Sequence, residues 1–223
     1  ESVDETIKDF RKAKEMGMVG MMMPGRPQHK DYDHPDYDAL WECATDLNLP
    51  VCFHILTSDD NSVKEALAPK RGALANGFMN IMRSVQDVLG VFLFGGNFDR
   101  HPNLKMVIAE ADAGWIPHYA YRADHAIKRL GAIAESTLKK MPSEYITKNV
   151  SFTFQDDATA YLNQNIVDSG CLLWANDYPH TDATWPHSQE VLAEQTANLT
   201  DAQRNAIRHD NVKKLFNLPV QVQ

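Results

Sequence analysis

Three short apolar runs in this chain each stop at a residue able to bind a metal ion or move a proton. Val51-Cys52-Phe53 ends at His54, Lys105 to Ala109 ends at Glu110, and Leu172 to Asn176 ends at Asp177, with Tyr178-Pro179-His180 close behind. In parallel α/β proteins the loops leaving the carboxyl ends of strands carry the chemistry, so residues at such ends are the first candidates. A neutral imidazole and a carboxylate together suit a divalent ion such as zinc, and an open coordination position brings the pKa of bound water to ~7. His54, Glu110 and Asp177 are all candidates to bind a metal or move a proton. Asp177 and Glu110 are the expected acid–base pair, and His180 and Trp185 are placed on the substrate side.

Each candidate has a plainer structural reading. Asp177 can serve as a turn former before Tyr-Pro, His54 as a hydrogen-bonded core histidine, and Glu110 as a partner for a helix dipole. His180 and Trp185 can be loop-packing residues. The other histidines, His101 among them, read as surface or local structural residues, and the methionines from Met16 to Met23 read as core.

The elements that must position these residues follow from the pattern of apolar side chains. Ser2-x-x-Glu5 is a capping box, and Val3, Ile7 and Phe10 recur at helical spacing up to Gly17. Met18 to Met23 is a strand candidate closed by Pro24-Gly25. Pro35 and Asp36 open a helix with Tyr37, Leu40, Trp41, Ala44 and Leu47 on one face. The stretch from Asn61 to Leu89 is expected to be helix broken near Pro69 to Asn76, with Gly90, Gly95 and Gly96 punctuating a separate apolar segment. A helix from Trp115 to Ala134 follows the strand of Glu110. Val150 to Phe154 alternates as a strand does, Gln155-Asp156-Asp157 caps what comes next, and Leu162, Ile166 and Val167 mark a buried helix side. Helices near Ser188 to Ala197 and after the Thr200-x-x-Gln203 box complete the chain.

About five strands alternating with helices make a parallel α/β architecture. A five-stranded doubly wound sheet and a (β/α)8 barrel both accommodate that count. Met23-Pro24-Gly25-Arg26-Pro27 is neither a G-x-G-x-x-G nor a phosphate-binding loop, which weakens the nucleotide-binding alternative.

With 223 residues, 43% of them hydrophobic, the chain can bury a sizeable core as one domain spanning residues 1–223. A net charge of −8 without a Lys/Arg-rich run argues against nucleic acid or an anionic membrane as partner and for a small molecule. Cys43, Cys52 and Cys171 show no paired spacing and read as reduced core thiols of a cytoplasmic protein.

Taken together, Phe53-His54, the run from Gly95-Gly96-Asn97-Phe98-Asp99-Arg100-His101-Pro102 into Ala109-Glu110, Gly114-Trp115-Ile116-Pro117, and Asn176-Asp177-Tyr178-Pro179-His180 resemble the amidohydrolase-related family. The resemblance is to the decarboxylase-like branch of these metal-dependent enzymes and runs from about Ser2 to Leu218. It implies a (β/α)8 barrel, of which this chain supplies about the last five βα units. It also implies a divalent metal, usually zinc, held by a histidine at the fifth strand, matched by His54, and an aspartate at the eighth, matched by Asp177. Decarboxylase members commonly carry a histidine where this chain has Glu110, so a metal-activated-water hydrolase is the leading expectation and a nonoxidative decarboxylase the alternative. A noncatalytic barrel fragment acting as a binding module is the rival from another class. Family members open with a first strand bearing His-x-His or Glu-x-His, and no His-x-His occurs in this sequence, so completion by a further segment is expected; an incomplete apolar barrel face would also favour a homo-oligomer.

Overall fold

The computed structural model describes residues 2–57, 76, 79, 81–162 and 168–219. The chain divides into two compact units, Glu1–Ala111 and Asp112–Gln223.

In the first unit, α1 (Val3–Glu15) is started by the expected capping box: the Glu5 amide donates to Ser2 Oγ at 3.3 Å, and the Ser2 amide to Glu5 Oε2 at 3.0 Å. It leads to β1 (Met21–Met23), α2 (Asp38–Asp46), β2 (Val51–His54), α3 (Arg83–Phe94), the one-turn α4 (Asn97–Arg100) and β3 (Met106–Ala109). The three strands are parallel in the order β1-β2-β3, with Met23 beside Phe53 and His54 beside Ala109. Their core is aromatic. Tyr32, Trp41, Phe53 and Phe92 are essentially inaccessible, and neighbouring rings lie 5.1–6.0 Å apart in tilted or edge-on contact.

The loop between β1 and α2 is held by polar groups that would be costly to bury alone. Tyr32 Oη donates to the Pro24 carbonyl at 2.7 Å, while the Tyr32 carbonyl accepts from the Asn97 amide at 2.9 Å and from the Trp41 indole at 3.3 Å. Arg100 donates to the carbonyls of Gly95 and Asp33 and, with His101, to Asp38. His101 is thus a buried link to a residue 63 positions away rather than a surface side chain.

The second unit holds α5 (Ile116–Leu130), α6 (Pro142–Asn149), β4 (Val150–Phe154), β5 (Leu172–Trp174), α7 (Ser188–Gln195), α8 (Asp201–Asn205), a π-helical turn Ala206–Asp210, and α9 (Asn211–Phe216). β4 and β5 are parallel, with Phe154 beside Trp174. Asp124 on α5 accepts from both the amide and the hydroxyl of Ser143 and so fixes the start of α6. After the π-helical turn, the Asn211 amide donates to the carbonyls of Ser169 and Leu172, both at 2.8 Å, and clasps the entry to β5.

Several expectations change. Met16, Met18 and Met22 are 66%, 50% and 55% exposed, and only Met23 of that methionine run is buried, because β1 is three residues long and pairs within its unit with β2 alone. α3 continues through Gly90 to Phe94: Val85, Val88, Leu89, Phe92 and Leu93 keep the helical apolar stripe, and their burial outweighs the ~1 kcal/mol propensity cost of one glycine. The segment after Asp157 begins as a 3-10 turn, Ala158–Tyr161, and Leu162 is 72% exposed rather than inward-facing. Ile166 and Val167, and the helix expected over most of Asn61 to Asn80, lie outside the described residues. Cys43 and Cys171 are buried free thiols, as expected, whereas the free thiol Cys52 is only half-buried.

Candidate active site

His54 is the last residue of β2. Its Nδ1 lies 2.7 Å from the Ile55 carbonyl, which can only accept, so Nδ1 carries a proton. Its Nε2 faces Glu110 Oε2 at 2.6 Å. A bare lone pair at that distance from a carboxylate would be repelled. The pair is therefore closed by a proton or by a cation, and a ring N–H given to a backbone carbonyl is the usual bracing of a metal-ligating histidine. The Thr57 hydroxyl adds a bond to the His54 carbonyl at 2.8 Å.

Glu110 reaches this position through its backbone. His54 and Ala109 are register partners, so an extended residue 110 would point to the opposite face of the sheet. Its φ of 56° breaks that alternation. Left-handed φ is unfavourable for a glutamate, and such outliers cluster where function demands a geometry.

In the second unit the Ala175 amide donates to the Phe154 carbonyl, prolonging the β4–β5 pairing before the chain turns at Asp177, φ 56°. Asp177 is nearly buried, its side chain 12% exposed. Oδ1 lies 2.9 Å from Nδ1 of the largely exposed His180, and Oδ2 is buried with no hydrogen-bond partner among the described residues. A carboxylate oxygen removed from water without a donor is costly, and a bound cation would meet that deficit. Each group by itself is of a kind that suits a divalent ion: in the first unit an imidazole nitrogen braced from behind, and in the second a carboxylate with one oxygen engaged and the other open.

Sequence reasoning passed over a group of acids in this unit. Asp112, also at positive φ, has its carboxyl pushed up to about 6, chiefly by burial and then by the charges of Asp157, Asp182 and Asp156. Asp157 accepts from the amides of Ala113, Gly114 and Thr159 and from the Thr159 hydroxyl, so it caps the 3-10 turn as expected of it. Asp182 accepts from the buried Gln155 amide at 2.9 Å. The one advance signal for Asp112 was its place two residues after the strand-ending Glu110.

Asp112 sets a pH dependence. Its folded-state pKa lies above the ordinary 3.8, so the folded protein holds this proton more tightly than the unfolded chain does. The resulting stabilisation is full below about pH 4 and is lost as pH rises through about 6. In Asp112→Asn that loss is absent. Thermal melts should show little difference from the parent near pH 3.5 and a higher melting temperature for the variant above pH 7.

The sequence matches the amidohydrolase family over residues 2–218, and the chain belongs to that family. Its fold is that of the family's (β/α)8 barrels, over about five βα units. An amidohydrolase from Mycobacterium avium subsp. paratuberculosis superposes with a TM-score of 0.79 at 18% identity, over 96% of this chain and 55% of that one. The 2,6-dihydroxybenzoate decarboxylase from Rhizobium superposes with a TM-score of 0.77 at 19% identity, over 98% of this chain and 68% of that one. The dihydroxybenzoic acid decarboxylase of Polaromonas, solved with manganese and the inhibitor 2-nitroresorcinol, gives 0.74 at 17% identity, over 99% and 67%. Among curated proteins, the decarboxylase orsB of Emericella nidulans is 24% identical over 217 residues, which are 93% of this chain and 64% of that protein. The chain thus spans about half to two thirds of the length of these relatives.

Proposed function

We propose that the protein is a metal-dependent nonoxidative decarboxylase of small aromatic carboxylic acids. The observation that carries this reading is the open, buried Oδ2 of Asp177, whose other oxygen is already engaged by His180. His54 and Asp177 are each proposed as ligands of a divalent ion, on the reasoning that barrels of this fold gather their chemistry at the carboxyl ends of the strands. When bound, such an ion supplies a Lewis acid for an oxygen-rich substrate. Manganese is present in solved relatives that act on hydroxylated benzoates, whereas the histidine–carboxylate donor set also suits zinc; metal analysis of the purified protein separates the two.

The remaining work falls to side chains of this chain. The Ile55 carbonyl fixes the His54 tautomer, and His180 orients Asp177. Loss of CO2 breaks the ring–carboxyl C–C bond and leaves its electron pair on the ring carbon, which must take up a proton. Glu110, 23% exposed and closed on His54, supplies that proton and recovers one from solvent. Asp177 is linked to solvent through His180, and Trp185 stands on the substrate side. Decarboxylases on which these relatives are named favour this reading over hydrolysis. The hydrolytic reading draws on one specific feature, Glu110 where decarboxylase members commonly carry histidine.

The test is turnover of 2,6-dihydroxybenzoate and 5-carboxyvanillate by manganese- and zinc-loaded protein, with product and CO2 quantified beside a panel of esters and amides. Release of CO2 that is lost in Glu110→Gln supports decarboxylation. Ester or amide cleavage without CO2 release identifies a hydrolase.

A further inference from the structure

Beside Asp177 in the chain, the second unit exposes two large aromatic side chains. Tyr178 is 64% and Trp185 61% exposed, yet their rings meet in a near-perpendicular contact, centroids 5.9 Å apart with an interplanar angle of 76°. Seven positions separate them in the sequence, and the loop that brings them together is closed by its own hydrogen bonds. The Thr184 amide donates to the Asn176 carbonyl at 3.1 Å, the His180 amide to the Asp177 carbonyl at 3.0 Å, and the Tyr178 amide to Asn176 Oδ1 at 3.2 Å. Below Trp185, the Thr184 and Ser188 hydroxyls bond at 2.9 Å in the interior, and the His187 amide returns to the Thr184 carbonyl.

Exposed aromatic surface next to a candidate metal-binding carboxylate, held in place before any ligand arrives, is a feature of recognition rather than of folding. Two rings at a right angle form a corner: a planar ring can stack on one face while its edge meets the other, the two arrangements that aromatic quadrupoles favour. An aliphatic acid of the same charge could use neither.

We propose that Tyr178 and Trp185 form the subsite that holds the aromatic ring of the substrate and so select aromatic over aliphatic carboxylic acids. This inference rests on the proposed function for its substrate class, but it concerns binding rather than turnover. The hydroxyl of Tyr178 is not required, only its ring.

The probe is 2-nitroresorcinol, a planar nitrophenol, titrated calorimetrically into manganese-loaded full-length protein, with manganese affinity measured separately for each variant. Tyr178→Leu and Trp185→Leu should each weaken the probe by about tenfold or more, Tyr178→Phe should bind like the parent, and manganese affinity should stay within about twofold throughout. Both side chains lie at the surface, so circular dichroism should show all three variants folded. The assignment is overturned if both leucine variants bind the probe as the parent does, or if the manganese-loaded parent does not bind it at all. Failure of the decarboxylase reading shows instead as probe binding without CO2 release, so the two outcomes are distinguishable.

Discussion

Asp177→Asn should abolish metal binding and turnover while leaving the metal-free protein as stable as the parent or more so. The carboxylate is nearly buried and its Oδ2 has no donor among the described residues, a cost that a bound cation would repay. Asparagine keeps the shape and an acceptor for His180, but it removes the charge from that orphan position. Turnover should fall by about three orders of magnitude or more, because the proposed role of Asp177 is both to hold the ion and to relay protons. Metal affinity, measured by calorimetry, should fall by at least about a hundredfold, and the unfolding free energy without metal should stay level or rise by about 1 kcal/mol. A variant that loses activity through misfolding would instead unfold earlier than the parent. A variant that still binds manganese as tightly would remove Asp177 from the ligand set.

Gly114→Ala should be the most damaging single methyl addition in the second unit. A Cβ at 114 would overlap the Thr159 hydroxyl and come within 2.7 Å of Thr159 Cβ and 2.9 Å of Asp157 Oδ1. Those atoms cannot step aside cheaply, because Asp157 accepts from the amides of Ala113, Gly114 and Thr159 at once. The expected cost is about 3 kcal/mol or more in urea unfolding, the upper range for overpacking. Gly114→Ala combined with Thr159→Gly should recover a large part of it. An alanine variant that unfolds at the parent's midpoint would mean that this turn yields to the methyl group.

The strand-ending residues were legible in the sequence because each strand is a short apolar run halted by a polar residue, and that pattern survives without knowing any partner. The capping boxes at Ser2 and Thr200 were legible for a similar reason, since both halves of each lie within four residues. What depends on long-range register was not. The bond between His54 and Glu110 spans 56 positions and needs both the β2–β3 pairing and a left-handed residue at 110. His101 read as a turn residue because its partner Asp38 lies far upstream. The methionine run misled because hydrophobic residues need not be buried when a strand is short and paired within its unit on one side. Asp112 was missed because its altered proton affinity comes from three other aspartates and from burial, none of which is visible in local spacing.

Leu56, Glu110, Asp112 and Asp177 all hold left-handed backbone conformations, and they follow the strands that carry the candidate chemistry. Glycine at the first two would relieve conformational strain of order 1 kcal/mol or more per position. Selection for heat resistance alone would therefore drive Glu110 toward glycine and discard the proposed proton carrier along with the strain. In breeding a hardier version of this protein, the sites offering the easiest gain in robustness are the ones to shield from change.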